Sequence, residues 1–249
     1  MFALSGRYLV TGGTRGIGRA ISLRFARAGA TVTAIYLRNQ KAADELKAEA
    51  AKDGLQIDLC RADLTSSQGL ERIERSIEDT HGSLSGLVHC AATGVHRTFY
   101  ELNARHFDWT FSLNVRAFFE LTKVLLDRFS ERSSIVAISS IGAQRTLPYY
   151  SVVGASKGAL EALARHLAVE LAPRGIRVNI LAPGAVATEV WKALPEAEGR
   201  MTGVINRTPI QRLVTPEEVA WAAQFLCSDA STGIIGQTLV VDGGAGIVG

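Results

Sequence analysis

Two stretches of this chain carry side chains whose types and spacing suit chemistry. The first is Thr11-Gly12-Gly13-Thr14-Arg15-Gly16-Ile17-Gly18, directly after the apolar run Tyr8-Leu9-Val10. A bound phosphate needs close backbone approach and spare N–H donors. Glycines at 12, 16 and 18 clear side chains from the turn, and the helix that follows aims its N-terminus at a pyrophosphate. A Gly-rich turn alone is a weak signal; a strand before it and a helix after it give it weight. The bland alternative is a structural turn with no ligand. The next β-branched run ends Ile35-Tyr36-Leu37-Arg38-Asn39, without an acid. NAD binders place an acid there for the ribose 2′-OH. Arg38 and Arg15 instead suit the 2′-phosphate of NADPH through charge-assisted hydrogen bonds, although Arg38 also reads as the solvated start of the following helix.

The second stretch runs from Ser139-Ser140-Ile141-Gly142 through Pro148-Tyr149-Tyr150 to Ser156-Lys157. It gathers a serine, two tyrosines and a lysine. Tyr150 and Lys157 are seven positions apart, which on a helix is about two turns, roughly 10.5 Å of rise; four positions would be roughly 6 Å. Any hydride transfer leaves negative charge on the acceptor, so a proton donor must be held where that charge appears. When hydride attacks a carbonyl carbon, the donor belongs beside that carbon. When it attacks Cβ of an enoyl thioester, charge appears on the thioester oxygen two carbons further along, and a donor set further from the hydride source is consistent with that.

Together the two stretches resemble the short-chain dehydrogenase/reductase family. Most of that family places its tyrosine four residues before the lysine. Here that position is Val153, which cannot donate a proton. The offset of Tyr150 resembles the Tyr-x6-Lys signature of enoyl-[acyl-carrier-protein] reductases, and Ala91-Ala92-Thr93-Gly94-Val95 with His106-Phe107-Asp108-Trp109-Thr110 looks most like their NADPH-using type III branch. The resemblance implies that Lys157 binds the nicotinamide ribose and lowers the tyrosine pKa, that Ser140 binds substrate and that Asn114 completes a proton relay. It also implies cofactor contacts from Asp63 and Leu64 at the adenine, from Ala91 near the ribose, and from Pro183, Gly184, Val186 and Thr188 at the carboxamide. Cys90 stands where the family has asparagine, which removes one supporting hydrogen bond. Tyr149 is a rival to Tyr150, favoured less by the family pattern. A carbonyl reductase with a displaced tyrosine, acting on a 3-oxoacyl thioester or another ketone, is the runner-up; a catalytically dead nucleotide sensor is a third class. A homotetramer follows from the resemblance only.

The elements that must position these groups are legible as alternating strand and helix patterns. Strands are expected at Tyr8–Val10, Thr31–Tyr36, Leu55–Cys60, Gly86–His89, Ser134–Ser139, Arg177–Leu181 and Gln237–Val241, with a long amphipathic helix at Ala159–Leu171. This is the pattern of an α/β Rossmann-type, doubly wound parallel sheet of about seven strands with helices on both faces. No repeat or Pro-rich linker divides the 249 residues, so one domain spanning 1–249 is expected. The least sheet-like region, about 189–213, carries Trp191, Pro195, Gly199, Met201 and Gly203 and suits a substrate lid. Trp191 and Met201 suit an acyl pocket or simple lid packing equally.

Composition narrows the classes further. A net charge of +3 without a basic block does not argue for nucleic acid. Arg97, Lys192, Arg200 and Arg207 suit an acidic carrier protein or coenzyme A phosphates, though each singly reads as solvated charge. The three cysteines form no CxxC pair, which suggests buried thiols in a reducing compartment. The five histidines show no metal-ligand spacing, so no metal is expected. No signal-peptide pattern or membrane-length apolar run is present, and a cytoplasmic protein is expected.

Overall fold

Seven strands, β1 (Arg7–Thr11), β2 (Thr31–Tyr36), β3 (Ile57–Arg61), β4 (Leu84–His89), β5 (Phe129–Ile138), β6 (Arg177–Pro183) and β7 (Thr238–Val241), form one sheet in the order β3-β2-β1-β4-β5-β6-β7. Every adjacent pair is parallel. The computed structural model describes residues 2–78, 83–189 and 197–248. The chain winds outward from β1 in one direction and from β4 in the other, so β1 and β4 mark the topological switch point. In open α/β sheets the crevice beyond the strand ends at such a point is where ligands bind.

The helices are α1 (Gly16–Arg27), α2 (Gln40–Lys52), α3 (Ser67–Glu78), α4 (Ala104–Phe111), α5 (Ala117–Val124), α6 (Ser151–Leu171), α7 (Ala197–Arg207) and α8 (Pro216–Cys227). Between α4 and α5 the residues Ser112–Arg116 form a widened π-helical turn. One core contains Ile21, Phe25, Leu46, Val219 and Leu226 from α1, α2 and α8 against Val10 and Val136. The other packs Ile73, Phe118, Leu121, Leu160 and Ala164 from α3, α5 and α6 against Leu9, Leu87 and Ile135. Neighbouring β1 residues divide between the two, as the period-2 strand requires.

Two expected boundaries shift by five residues or more. β5 starts at Phe129, five residues before the expected Ser134, because the ladder to β4 reaches back from Ser134 to Phe129 across a register irregularity. α6 starts at Ser151, eight residues before the expected Ala159. Its first turns are rich in small residues, which let the helix press against Gly142. A Cβ on Gly154 would lie 2.7 Å from the Gly142 carbonyl. Of the expected lid, the described part contains α7 and the loop after it. Trp191, Lys192, Pro195 and the side chain of Arg200 lie outside the described residues.

Candidate active site

The carboxyl ends of β1, β4, β5 and β6 lie side by side, with Thr11 paired to His89, His89 to Ala137, and Ile138 to Leu181. Thr11 organises the switch point. Its buried hydroxyl accepts the N–H of Cys90 at 3.1 Å and of Ala91 at 3.0 Å. With both lone pairs used, its own proton goes to His89 Nδ1, 3.2 Å away. His89 is therefore neutral. Burial, then the nearby Lys157, hold its pKa down to about 3. Its Nε2 faces the Leu113 carbonyl without closing a hydrogen bond.

The glycine turn leaves β1 and is tied to β2 by the Gly13 N–H, which donates to the Ile35 carbonyl at 3.1 Å. A Cβ at Gly18 would overlap the Gly12 carbonyl, so only glycine lets α1 begin this close to the turn. Gly12 has a φ of +64°, and a Cβ there would meet Ala91 at 3.1 Å. The turn and the β4 exit thus form a narrow cradle floored by backbone, which fits a pyrophosphate and an adjoining ribose. Thr14 is buried within the turn, Ile17 is half-buried, and Arg15 is the exposed N-cap of α1. Arg38 is exposed just beyond β2, the strand paired with β1. Asp63 accepts from the Thr65 N–H and hydroxyl at 2.9 and 2.7 Å, which fixes the loop after β3, and Leu64 is buried beneath it.

On the other wall, Pro183 ends β6 and the Gly184 N–H donates to the Val241 carbonyl at 3.0 Å. Val186 is buried and bridges Val214, and the methyl of Thr188 lies beside Gly16. The segment 183–188 is therefore brought onto the glycine turn. Lys157 is 5% exposed and its Nζ donates to the Ile138 carbonyl at 2.7 Å. Burial pulls the ammonium down to about 8, opposed by Cys90 and by Glu161. Burial also pushes the Cys90 thiol up to about 11.

Tyr150 caps the N-terminus of α6. Burial raises its hydroxyl above the usual value, and the influence pulling it down is a hydrogen bond with Ser140. The expected lowering of the tyrosine by Lys157 is thus not what the structure gives: two helical turns separate the residues, and the ammonium is turned onto Ile138. Tyr149, the rival, is 41% exposed and has a left-handed backbone, φ 61°. Such a conformation in a bulky residue costs about 1–3 kcal/mol and marks a tightly determined turn. Val153, at the usual family position of the tyrosine, is 5% exposed and packs on Gly94.

Asn114 sits in the π-helical turn and is fully buried. Its Oδ1 accepts the Thr93 N–H at 2.8 Å, and its Nδ2 donates to the Thr93 carbonyl and to Ser156 Oγ, both at 2.9 Å. The side chain thereby clamps the β4 exit loop to α6.

Two residues here escape a reading of sequence alone. Glu161, 3% exposed, receives hydrogen bonds from Ser139 at 2.7 Å and Gln144 at 3.1 Å, holding the loop that carries Ser140. Its signal is an acid four residues after Lys157 on an apolar helix face. His96 lies against Tyr150, with ring centroids 5.5 Å apart. A cavity of about 790 Å³ opens between α1 and α8, lined by Leu23, Arg24, Met201 and Trp221; it reaches this site at Gly16, Ala187 and Thr188. Among the described residues no group of acids, cysteines and histidines could hold a metal ion, and no helix is long and apolar enough to cross a membrane.

This fold and crevice define a nucleotide-dependent oxidoreductase. The protein-family model described as Enoyl-(Acyl carrier protein) reductase matches residues 12–246. The chain belongs to the short-chain dehydrogenase/reductase family, whose members use nicotinamide cofactors. It is 35% identical over 242 residues to 1-cyclohexenylcarbonyl-CoA reductase of Streptomyces collinus, covering 96% of this chain and 86% of the relative. It is 33% identical over 239 residues to acetoacetyl-CoA reductase of Allochromatium vinosum, covering 95% and 96%. The crystal structure of L-sorbose reductase from Gluconobacter frateurii, complexed with NADPH and L-sorbose, superposes with a TM-score of 0.92 at 28% identity over 99% of both chains.

Proposed function

We propose that this protein reduces the C=C bond of a 2-enoyl thioester, carried by coenzyme A or an acyl carrier protein, with NADPH. The observation that carries the reading is the place of Tyr150 at the N-cap of α6 combined with a buried Val153 where most of the family has its tyrosine. A donor at 153 would stand one turn from the ribose-binding Lys157; the donor at 150 stands two turns away, where the thioester oxygen of an enoyl substrate is met. The similarity to a reductase of an α,β-unsaturated thioester in Streptomyces collinus supports the same reading.

In this reading the glycine turn holds the pyrophosphate, Arg15 and Arg38 hold the 2′-phosphate, and Lys157 and Ala91 line the ribose. Asp63 and Leu64 border the adenine, and segment 183–188 orients the carboxamide. NADPH supplies the hydride that reaches Cβ. Tyr150, supported by Ser140, would then give a proton to the oxygen on which charge collects, and the resulting enol tautomerises to the saturated thioester, gaining a proton at Cα and losing the one on oxygen. The tyrosine's high pKa keeps it protonated at neutral pH, as a donor must be. By family resemblance the protein works as a homotetramer.

The test is NADPH oxidation with crotonyl thioester and, separately, acetoacetyl thioester, each repeated with NADH. The expected result is turnover with crotonyl thioester and NADPH. Turnover with acetoacetyl thioester alone would make the protein a ketone reductase, the activity named for its Allochromatium vinosum relative. Tyr150→Phe is expected to lose most turnover while NADPH binding persists; an unchanged rate excludes Tyr150 as the donor.

A further inference from the structure

The chain leaving β4 does more than border a ribose. Asn114 fixes Thr93 through both its N–H and its carbonyl. At the next residue the backbone comes so close to α6 that a Cβ on Gly94 would overlap the Val153 side chain. The chain is thus pinned twice within two residues, against the same helix that Tyr150 caps. Two residues later it delivers half-buried His96 to the Tyr150 ring, at 5.5 Å between centroids and 49° between planes. Another side of that ring is equally close-walled. A Cβ on Gly142 would lie 2.5 Å from Tyr150 Cε1, and one on Gly154 would lie 3.4 Å from Cδ1.

The Tyr150 ring is therefore met by the Gly142–Gly154 backbone along its Cδ1–Cε1 edge and by the His96 imidazole. On the backbone side the packing is close, since a Cβ at Gly142 would also meet Leu147 Cδ1 at 2.9 Å. The His96 ring packs on the Tyr150 ring as well. The Tyr150 hydroxyl also has to stay on Ser140, whose Oγ is fixed by the Gly142 N–H at 3.1 Å. We propose that His96 is a positioning residue for the proton donor: its ring packs Tyr150 so that the hydroxyl stays on Ser140 and meets the substrate oxygen. The role belongs to the ring as a flat surface. It rests on the assignment of Tyr150 as donor.

A donor displaced by even 1 Å loses rate steeply, so His96→Ala is expected to lower kcat about tenfold while leaving NADPH affinity at the wild-type value. His96→Phe restores the flat ring without the imidazole nitrogens and is expected to stay within about threefold of wild type. A second readout is independent of turnover. With tyrosine labelled at Cζ, the Tyr150 resonance is identified among the five tyrosines by its loss in Tyr150→Phe. In His96→Ala that resonance is expected to shift and broaden with the others unmoved; in His96→Phe it is expected to stay sharp. Wild-type kcat and an unmoved resonance in His96→Ala overturn the proposal. So does a loss in His96→Phe equal to that in His96→Ala, since the nitrogens rather than the ring would then be at work. If Tyr150→Phe itself retains turnover, the donor assignment falls, while the resonance still reports whether His96 holds the ring.

Discussion

Replacing Lys157 with methionine is expected to stabilise the empty fold near neutrality while abolishing tight nucleotide binding. The ammonium is 5% exposed, and burial pulls it down to about 8 from an ordinary 10.5. A lysine whose folded pKa lies below its unfolded value weakens the fold where both states are protonated. The penalty is full below the folded pKa and fades as pH rises towards the unfolded one. By linkage it amounts to about 3 kcal/mol at pH 7 and about 1.4 kcal/mol at pH 9.5. Methionine carries no such penalty and keeps most of the buried volume. It gives up the 2.7 Å hydrogen bond to the Ile138 carbonyl, a loss of about 1 kcal/mol at either pH. The variant should therefore lead wild type by about 2 kcal/mol at pH 7 and be about level with it at pH 9.5. Urea denaturation of both proteins without nucleotide, at the two pH values, measures this, and NADPH fluorescence titration measures the lost affinity. A stability gap of equal size at both pH values would refute the reasoning, since it would mean that Lys157 binds its proton equally well in the folded and unfolded chains.

Three further outcomes are expected. Asn114→Ala strips partners from the Thr93 N–H and carbonyl and from Ser156 Oγ; a loss of about 2–4 kcal/mol should appear in thermal or denaturant unfolding. Gly142→Ala sets a methyl 2.5 Å from the Tyr150 ring; kcat with crotonyl thioester should fall at least about tenfold with NADPH affinity kept, and wild-type kcat would show that the ring has room to move. Arg38→Ala, and more so the double variant with Arg15→Ala, should raise the KM for NADPH by about tenfold or more and leave that for NADH within a factor of about two; equal effects on both would deny the 2′-phosphate assignment.

Much of the sheet was legible because strands buried on both faces read as apolar, β-branched runs. Thr31–Tyr36 has the same bounds in sequence and structure. What misled was composition at close contacts. Gly154, Ala155, Ser156 and Gly158 lie before the amphipathic stretch expected from Ala159, yet their smallness is what lets α6 begin at Ser151 against Gly142. The glycine turn, Ser140, Tyr150 and Lys157 were placed by motif, and each lies at the strand ends flanking the crevice or on the helix beside it. His96 was not, since its approach to Tyr150 depends on two long-range clamps, Asn114 to Thr93 and Gly94 to Val153, that no local pattern announces. The state of Tyr150 was also out of reach: spacing gives its separation from Lys157 but not the turn of the ammonium onto Ile138. Nor does periodicity disclose the widened turn, because Thr110, Asn114, Ala117, Phe118 and Leu121 recur at ordinary helical intervals.

That widened turn, Ser112–Arg116, means the helix from Ala104 to Val124 contains one residue more than a regular spiral would hold. Each helical residue carries about 100° of rotation. Deleting any one residue between Asn114 and Phe118 would relax the bulge into an unbroken α-helix with better backbone hydrogen bonds. A widened turn spreads the rotation of four α-helical residues over five, so the flanking helix would keep its phase while Asn114, inside the turn, would lose its place. Phe118 and Leu121 anchor the lower half in the core, so the change would fall on Asn114, releasing Thr93 and everything it steers. For this stretch of chain, the tidier helix is the inactive one, and a gene that drifts toward regularity here loses its catalyst without losing its fold.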